Sequence, residues 1–290
     1  MNTYIRQLLP SDKKLMENMQ TGIEDDYIIR IFETLCTGNH VLFGLFYNNQ
    51  LVSTAGYSIF ASAYAMLGRL RSDIRYQGNG YSNRLTQYVL NQAFQTKGVE
   101  WAGANTQAHN TPAQKVLNKI HLEKQTEFYG CTANKLDGIP DTKGAWREIT
   151  DTEEKLKLLD TYHVKEHTFF PLECYYPFPS SSKLFQAEQI KSWRFFQEGG
   201  LPPLIAKKDT KKKVYLHAVY PYKDLFQRRG LWNTIAEAQH ALQIQHPDKD
   251  VHVWIDIPAS IIDQLPDEHP FELDSPWLLY GMDRDAWANL

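Results

Sequence analysis

The segment Arg75-Tyr76-Gln77-Gly78-Asn79-Gly80 has the form R-x-x-G-x-G and stands between a strand ending near Arg71 and a helix starting at Tyr81. Glycines lack a Cβ, so the backbone can approach an anion closely. Successive N–H groups can point at it, and the following helix N-terminus adds about half a positive charge. The chemistry this suits is the holding of a pyrophosphate. A dinucleotide fingerprint would need a third glycine where Asn83 stands. The P-loop pattern G-x-x-x-x-G-K-[ST] is absent, and the nucleophile elbow G-x-S-x-G begins at Gly80-Tyr81-Ser82 but ends in Arg84. Taken alone, the loop could also be a plain strand-to-helix turn.

A second run, Asn110-Thr111-Pro112-Ala113-Gln114-Lys115-Val116-Leu117-Asn118-Lys119-Ile120-His121-Leu122, follows the next expected strand. With the first motif it resembles the GNAT superfamily of N-acetyltransferases. Those proteins carry R/Q-x-x-G-x-G/A at a pyrophosphate loop and N-x-x-A-x-x-L-Y-x-K-x-G-F on a later helix. Arg75, Gly78 and Gly80 match the first pattern, and Asn110, Ala113 and Lys119 match the second. The resemblance covers roughly Tyr4 to Ala133.

It implies a GNAT-like fold with acetyl-CoA as cosubstrate. Leu70, Arg71 and Ser72 would hold the pantetheine arm as an added pseudo-strand, and the amides of Gln77, Gly78, Asn79, Gly80, Tyr81 and Ser82 would hold the pyrophosphate. Asn110 would sit near the thioester, with Lys119 on the same helix. An amine, on a small molecule or a protein, would attack the acetyl carbonyl directly, with no covalent enzyme intermediate. Two departures bear on catalysis. Leu117 stands where relatives place the tyrosine that protonates the leaving thiolate, which leaves Tyr129 as the nearest replacement. His121 stands at the family's glycine, either near the site or as a helix cap. No carboxylate in the strand Ala65–Arg71 offers a general base, so water, Glu100 or a residue of the second half would serve. The alternative is a non-catalytic acyl-CoA-binding or regulatory module.

Another motif, His163-Val164-Lys165-Glu166-His167, reads H-x-x-E-H, a spacing that permits a zinc pair. No third ligand follows in helical context, and Thr168-Phe169-Phe170-Pro171 ends the helix. The histidines are expected on an exposed helix end, with no metal.

The elements that would position these residues form an α/β (α+β) pattern. After a strand at Tyr4–Leu8 and a helix over Asp26–Leu35 come strands at Val41–Tyr47, Leu51–Ile59 and Ala65–Arg71. A helix over Tyr81–Phe94, a strand at Val99–Ala104 and a helix over Pro112–Ile120 complete the set. The arrangement expected is a mixed, mainly antiparallel sheet flanked by helices. The second half repeats the order: Trp146–Ile149, helices over Asp151–Lys165 and Leu184–Phe196, strands at Leu204–Lys207 and Val214–Val219 around a Lys211-Lys212-Lys213 turn, a helix over Leu231–Leu242 and a strand at Val251–Ile257. Its loop, Tyr222 to Gly230, keeps one glycine and lacks the pair, so a degenerate copy that binds CoA poorly is expected. The aromatic stretch Phe169-Phe170 and Tyr175-Tyr176-Pro177-Phe178 reads equally as core or as a substrate wall. A boundary near Leu136–Ala145, through Asp137-Gly138-Ile139-Pro140-Asp141, divides residues 1–137 from 145–290.

A chain of 290 residues has room for two such domains. A formal charge of −3 gives no whole-protein attraction to nucleic acid or anionic lipid. No stretch approaches the roughly 20 apolar residues of a membrane span. Three widely spaced cysteines read as reduced thiols. These features lead to the expectation of a cytoplasmic protein.

Overall fold

A computed structural model of the chain describes residues 2–139 and 141–290, so Pro140 of the expected linker lies outside the described residues. The strands are β1 (Thr3–Gln7), β2 (His40–Tyr47), β3 (Gln50–Phe60), β4 (Tyr64–Ser72), β5 (Trp101–Gln107), β6 (Glu123–Ala133) and β7 (Arg147–Ile149). They continue as β8 (Phe169–Glu173), β9 (Tyr176–Pro179), β10 (Arg194–Gln197), β11 (Leu204–Thr210), β12 (Val214–Val219), β13 (Val251–Pro258) and β14 (Trp277–Asp283). Two compact units result, and they interleave along the chain. One holds the residues up to Thr106, Asn110–Gln125 and Leu279–Leu290; the other holds Gln107–His109 and Thr126–Leu278. The expected division at 1–137 and 145–290 follows chain order, whereas in these units 126–137 packs with the second and the chain end with the first.

In the first unit the strand order is β1-β2-β3-β4-β5-β14. Strands β1 to β4 pair antiparallel, and β5 runs parallel to β4. A parallel neighbour needs a crossover, which the helix Tyr81–Gln95 supplies. Its apolar residues recur at helical spacing, so Leu85, Val89, Leu90, Ala93 and Phe94 are buried on β3 and β4. Each large side chain so buried contributes roughly 2 kcal/mol. The expected helix over Asp26–Leu35 is instead two short turns, Tyr27–Arg30 and Phe32–Leu35, which bury Ile28, Phe32 and Leu35.

The last part of the chain closes this unit. Leu279, Tyr280 and Met282 are buried, and the Arg284 guanidinium donates to the carbonyls of Val99 and Phe94, the latter at 2.6 Å. Trp287 stacks on Phe94 with ring centroids 5.1 Å apart and donates to Asn91 Oδ1 at 3.0 Å.

In the second unit the order is β6-β13-β12-β11-β10-β7, with β12 and β13 parallel and the other pairs antiparallel. The crossover from β12 to β13 is the helix Leu231–Gln245. It echoes the first unit closely, because each 15-residue crossover helix begins after a left-handed glycine, Gly80 at φ +75° and Gly230 at φ +72°. The expected helix over Leu184–Phe196 is corrected to a short helix at Ala187–Lys191 followed by β10. Phe195 pairs with Ile149 on one side and Ile205 on the other, and burial on a central strand overrides the helical spacing of the run. The aromatic stretch forms a separate hairpin, β8 with β9, and buries Phe170 and Phe178.

Candidate functional site

Strands β4 and β5 are registered only from Tyr64 opposite Trp101 to Leu67 opposite Ala104. Beyond that both continue, β4 to Ser72 and β5 to Gln107, without pairing to each other. The split begins at a bulge. The pairing of β3 with β4 shifts between Thr54 and Gly56, and Arg69 is left-handed at φ +58°. A non-glycine residue held there costs on the order of 1–3 kcal/mol, and such strain clusters at functional sites. The separated strands leave backbone groups facing a cleft of about 610 Å³, walled by Leu70, Arg71 and Ser72 on one side and Asn105 and Thr106 on the other. Gln77, Ser82, Asn110 and Leu117 also line it.

The phosphate-type loop is built from Asp73. Its buried carboxylate receives the Arg75 backbone amide at 3.0 Å, the Gln20 amide at 3.3 Å and the Arg75 guanidinium at 2.9 and 2.5 Å. The guanidinium hydrogen bonds hold the Asp73 carboxyl below its usual range. Arg75 therefore braces the loop from its own side. Gly78 and Gly80 are both left-handed, at φ +83° and +75°, and a Cβ at either would meet no protein atom within 4 Å. The helix makes its first internal bond from the Arg84 amide to Gly80 O at 3.0 Å, so the amides of Tyr81, Ser82 and Asn83 have no intrahelical partner. Ser82 Oγ lies 2.6 Å from Ser72 Oγ and ties the helix start to the end of β4.

Arg71 is locked in place from the opposite side by Asp26, with Nε 2.6 Å from Oδ2 and Nη2 2.9 Å from Oδ1. Burial alone would push the Asp26 carboxyl up, but these bonds and the Ile28 amide outweigh it and leave its pKa lowered. Among the described residues, the ionisable side chains on the cleft wall are the guanidiniums of Arg69 and Arg71. Such a lining suits an anionic ligand held largely by backbone.

Of the residues expected from sequence, the structure brings Leu70, Arg71, Ser72, Gln77, Ser82 and Asn110 to one cleft. Asn110 also caps the Thr111–Lys119 helix, its Oδ1 accepting the Ala113 amide at 3.2 Å. Gly78, Asn79, Gly80 and Tyr81 shape the loop beside the cleft without lining it, and Lys119 is exposed on its helix away from the lining. Tyr129 belongs to the second unit and packs against the cluster around Leu204 and Trp232. His121 is exposed and left-handed at φ +63°, just past the end of its helix. It serves as the helix stop, a position whose backbone explains a glycine in relatives. Glu100 is not among the lining residues. Sequence reasoning missed Asn105, Thr106 and the Arg69 bulge, none of which carries a motif.

In the H-x-x-E-H run the expected exposed helix end is corrected for one residue. His163 is buried in a π-helical turn with Nδ1 2.9 Å from Thr168 Oγ1, whereas His167 is exposed and left-handed. The two imidazoles do not share a metal-facing surface. Among the described residues the one metal-like grouping is Cys174, Asp209 and His217, and there the Lys207 ammonium, 2.9 Å from His217 Nδ1, already supplies the positive charge.

Burial pushes both His163 and His217 down to about 4, and for His217 the Lys207 ammonium adds to the effect. Unfolded histidine titrates near 6.5. Between those values the unfolded chain binds protons that the folded chain refuses. Their stability contribution is therefore complete above about pH 6.5 and is lost as pH falls towards 4. Thermal melts should show a drop between pH 7 and 4.5, on the order of 2 kcal/mol per histidine. A melting temperature that is flat over that range would contradict the burial of both neutral rings.

The fold is a mixed α/β fold of the GNAT type, with a mostly antiparallel sheet flanked by helices. Residues 6–121 match the sequence model of the acetyltransferase (GNAT) family. Acetyl-CoA is the cosubstrate of that family. No curated protein sequence matches the chain. Solved structures resemble it over nearly its whole length. A GCN5-related N-acetyltransferase of Sphaerobacter thermophilus superposes with a TM-score of 0.57 at 13% identity, covering 97% of this chain and 95% of that one. A provisionally named acetyltransferase of Thermoplasma acidophilum gives 0.55 at 13% identity, covering 97% and 99%. At such identities the likeness speaks for the fold.

Proposed function

We propose that the chain is an acetyl-CoA-dependent N-acetyltransferase that transfers the acetyl group directly to an amine of a small molecule or a protein, in the cytoplasm. The observation that carries this reading is the opening of β4 from β5 into a backbone-walled cleft that runs from the glycine loop to Asn110. The pantetheine arm lies along Leu70, Arg71 and Ser72, where β4 no longer pairs with β5. The pyrophosphate rests on the amides from Gln77 to Ser82, where the helix N-terminus favours negative charge. Asn110 completes the cofactor side.

In the reaction the amine nitrogen attacks the acetyl carbonyl carbon, a C–N bond forms, the C–S bond breaks and CoA leaves as thiolate. The amine loses one proton, which returns to the thiolate or to solvent. Leu117 lines the cleft and brings no hydroxyl.

The second unit is, on this reading, a degenerate copy of the first. Its crossover helix begins as the first one does, but the amides that would meet a phosphate are taken. Asp141 Oδ1 accepts the Gly230 amide at 2.7 Å and Oδ2 accepts the Asn233 amide at 2.8 Å. A carboxylate of the chain itself occupies the anion position, and one acetyl-CoA per chain follows.

Thiol release from acetyl-CoA across a panel of primary amines tests the activity. Turnover with any amine above the rate without amine supports the transferase. Saturable acetyl-CoA binding with no turnover on any of them would favour a non-catalytic acyl-CoA-binding module.

A further inference from the structure

Three neighbouring strands of the second unit place a polar row across one face. Lys207 of β11 pairs with His217 of β12, and His217 stands beside β13, which carries Asp256. The Lys207 ammonium donates to Leu172 O at 2.8 Å and to His217 Nδ1 at 2.9 Å. The imidazole's other nitrogen, Nε2, lies 3.2 Å from Asp256 Oδ2. With Nδ1 accepting from the ammonium, Nε2 carries the hydrogen and donates it to the carboxylate. Trp254 Nε1 donates to Asp256 Oδ1 at 2.9 Å. Lys207 and His217 are buried, whereas the Asp256 side chain keeps 11% of its surface exposed.

That remaining surface opens into a second cleft, of about 220 Å³, wholly within this unit. Its apolar wall is formed by Phe128, Phe169, Pro171, Pro177 and Pro258, with the hydroxyl residues Thr126, Thr168 and Ser260 beside them. Glu127 and Lys223 also line it and offset each other in charge.

The charge balance of the buried row and its neighbours is uneven. Lys211 pairs with Glu173 at 2.7 Å and reaches Asp209 at 3.7 Å. Two ammonium groups, Lys207 and Lys211, thus face three carboxylates, Glu173, Asp209 and Asp256. His217 is neutral at ordinary pH, because burial and the Lys207 ammonium hold its pKa near 4. One negative charge is left over, and Asp256 is the one of the three carboxylates that lines the cleft. A carboxylate offers about four acceptor positions, of which Trp254 and His217 take two.

We propose that this cleft is a binding site for a compact primary ammonium compound with an apolar body, its ammonium seated on Asp256 and its body held between the proline and phenylalanine walls. An excess charge in a low-dielectric setting is stabilised by a paired opposite charge. An ammonium brings three donors to the two acceptor positions left on Asp256. The volume is below the roughly 300–1,000 Å³ of sites for drug-sized ligands, which selects a small molecule. The proposal does not depend on acetyl-CoA binding in the first unit.

The test uses benzylamine as probe on the full chain, with binding read by calorimetry or by NMR. Expected is saturable binding at one site, with benzyl alcohol, which has the ring without the charge, binding at least about tenfold more weakly. Asp256→Asn should weaken benzylamine by a similar factor. Ser260→Phe, placed at an exposed position of the cleft lining, should abolish binding while leaving the buried row intact, and it decides the matter if Asp256→Asn does not fold. Thermal melting confirms folding of both. Absence of saturable binding, equal affinity for the alcohol, or full binding by Ser260→Phe would overturn the proposal.

Discussion

Acetyl-CoA affinity is expected to fall by at least about tenfold in Gly80→Ala and in Gly78→Ala, with only a small loss of stability. Both glycines have φ near +80°, where an L-residue is strained by roughly 1–2 kcal/mol. The added Cβ would meet no protein atom within 4 Å, so the fold itself can take the methyl group. On the proposed reading, the methyl group would stand where phosphate oxygens approach the amides. Calorimetric titration beside thermal melting separates the two effects. Unchanged affinity in both variants would remove the loop from the cofactor site, whatever the melts show.

Ending the chain after Trp277 is expected to abolish cooperative folding of the first unit. The truncation removes Leu279, Tyr280 and Met282 from the core, each worth roughly 2 kcal/mol. It also removes the Arg284 bonds to Val99 and Phe94 at about 1 kcal/mol each, and the Trp287 stack on Phe94. Together these approach the roughly 5–15 kcal/mol of net stability that a domain has. Circular dichroism melts of the truncated chain would show a broad, early transition. The milder Arg284→Ala should lower stability by about 2 kcal/mol. A truncated chain that melts as the full one does would show that the returning segment contributes nothing.

The contrast between these two regions marks what sequence could disclose. The glycine loop and the crossover helix were legible because local rules favour them: glycines let the backbone approach closely, and apolar residues recur at helical spacing, whereas Asn110 came with the family pattern. The returning segment was not, since Leu279–Leu290 finds its partners almost two hundred residues away and no short motif announces Arg284 reaching Val99. Helical spacing over Leu184–Phe196 misled, because Phe195 and Phe196 are buried as strand residues between β7 and β11.

The site shows the same limit. Arg75 matched its family pattern, yet its side chain braces Asp73, and what the motif secures is the loop's shape. The cleft itself comes from the parting of β4 and β5, whose partners lie 37 residues apart, and from the Arg69 bulge in the pairing of β3 with β4; both are properties of strand pairing that no short motif carries. Asp141 at the second helix could not be read from its turn-rich linker, because its partners, Gly230 and Asn233, are reached only through the fold.

Hydrogen exchange of the full chain with and without acetyl-CoA tests the cofactor site most directly. Protection confined to Leu70–Ser82 and the start of the Thr111–Lys119 helix is the expected result, with the amides of Gly230 and Asn233 unchanged. Saturating acetyl-CoA that protects neither segment, or that protects the Gly230–Asn233 turn instead, would contradict the assignment of the β4–β5 cleft.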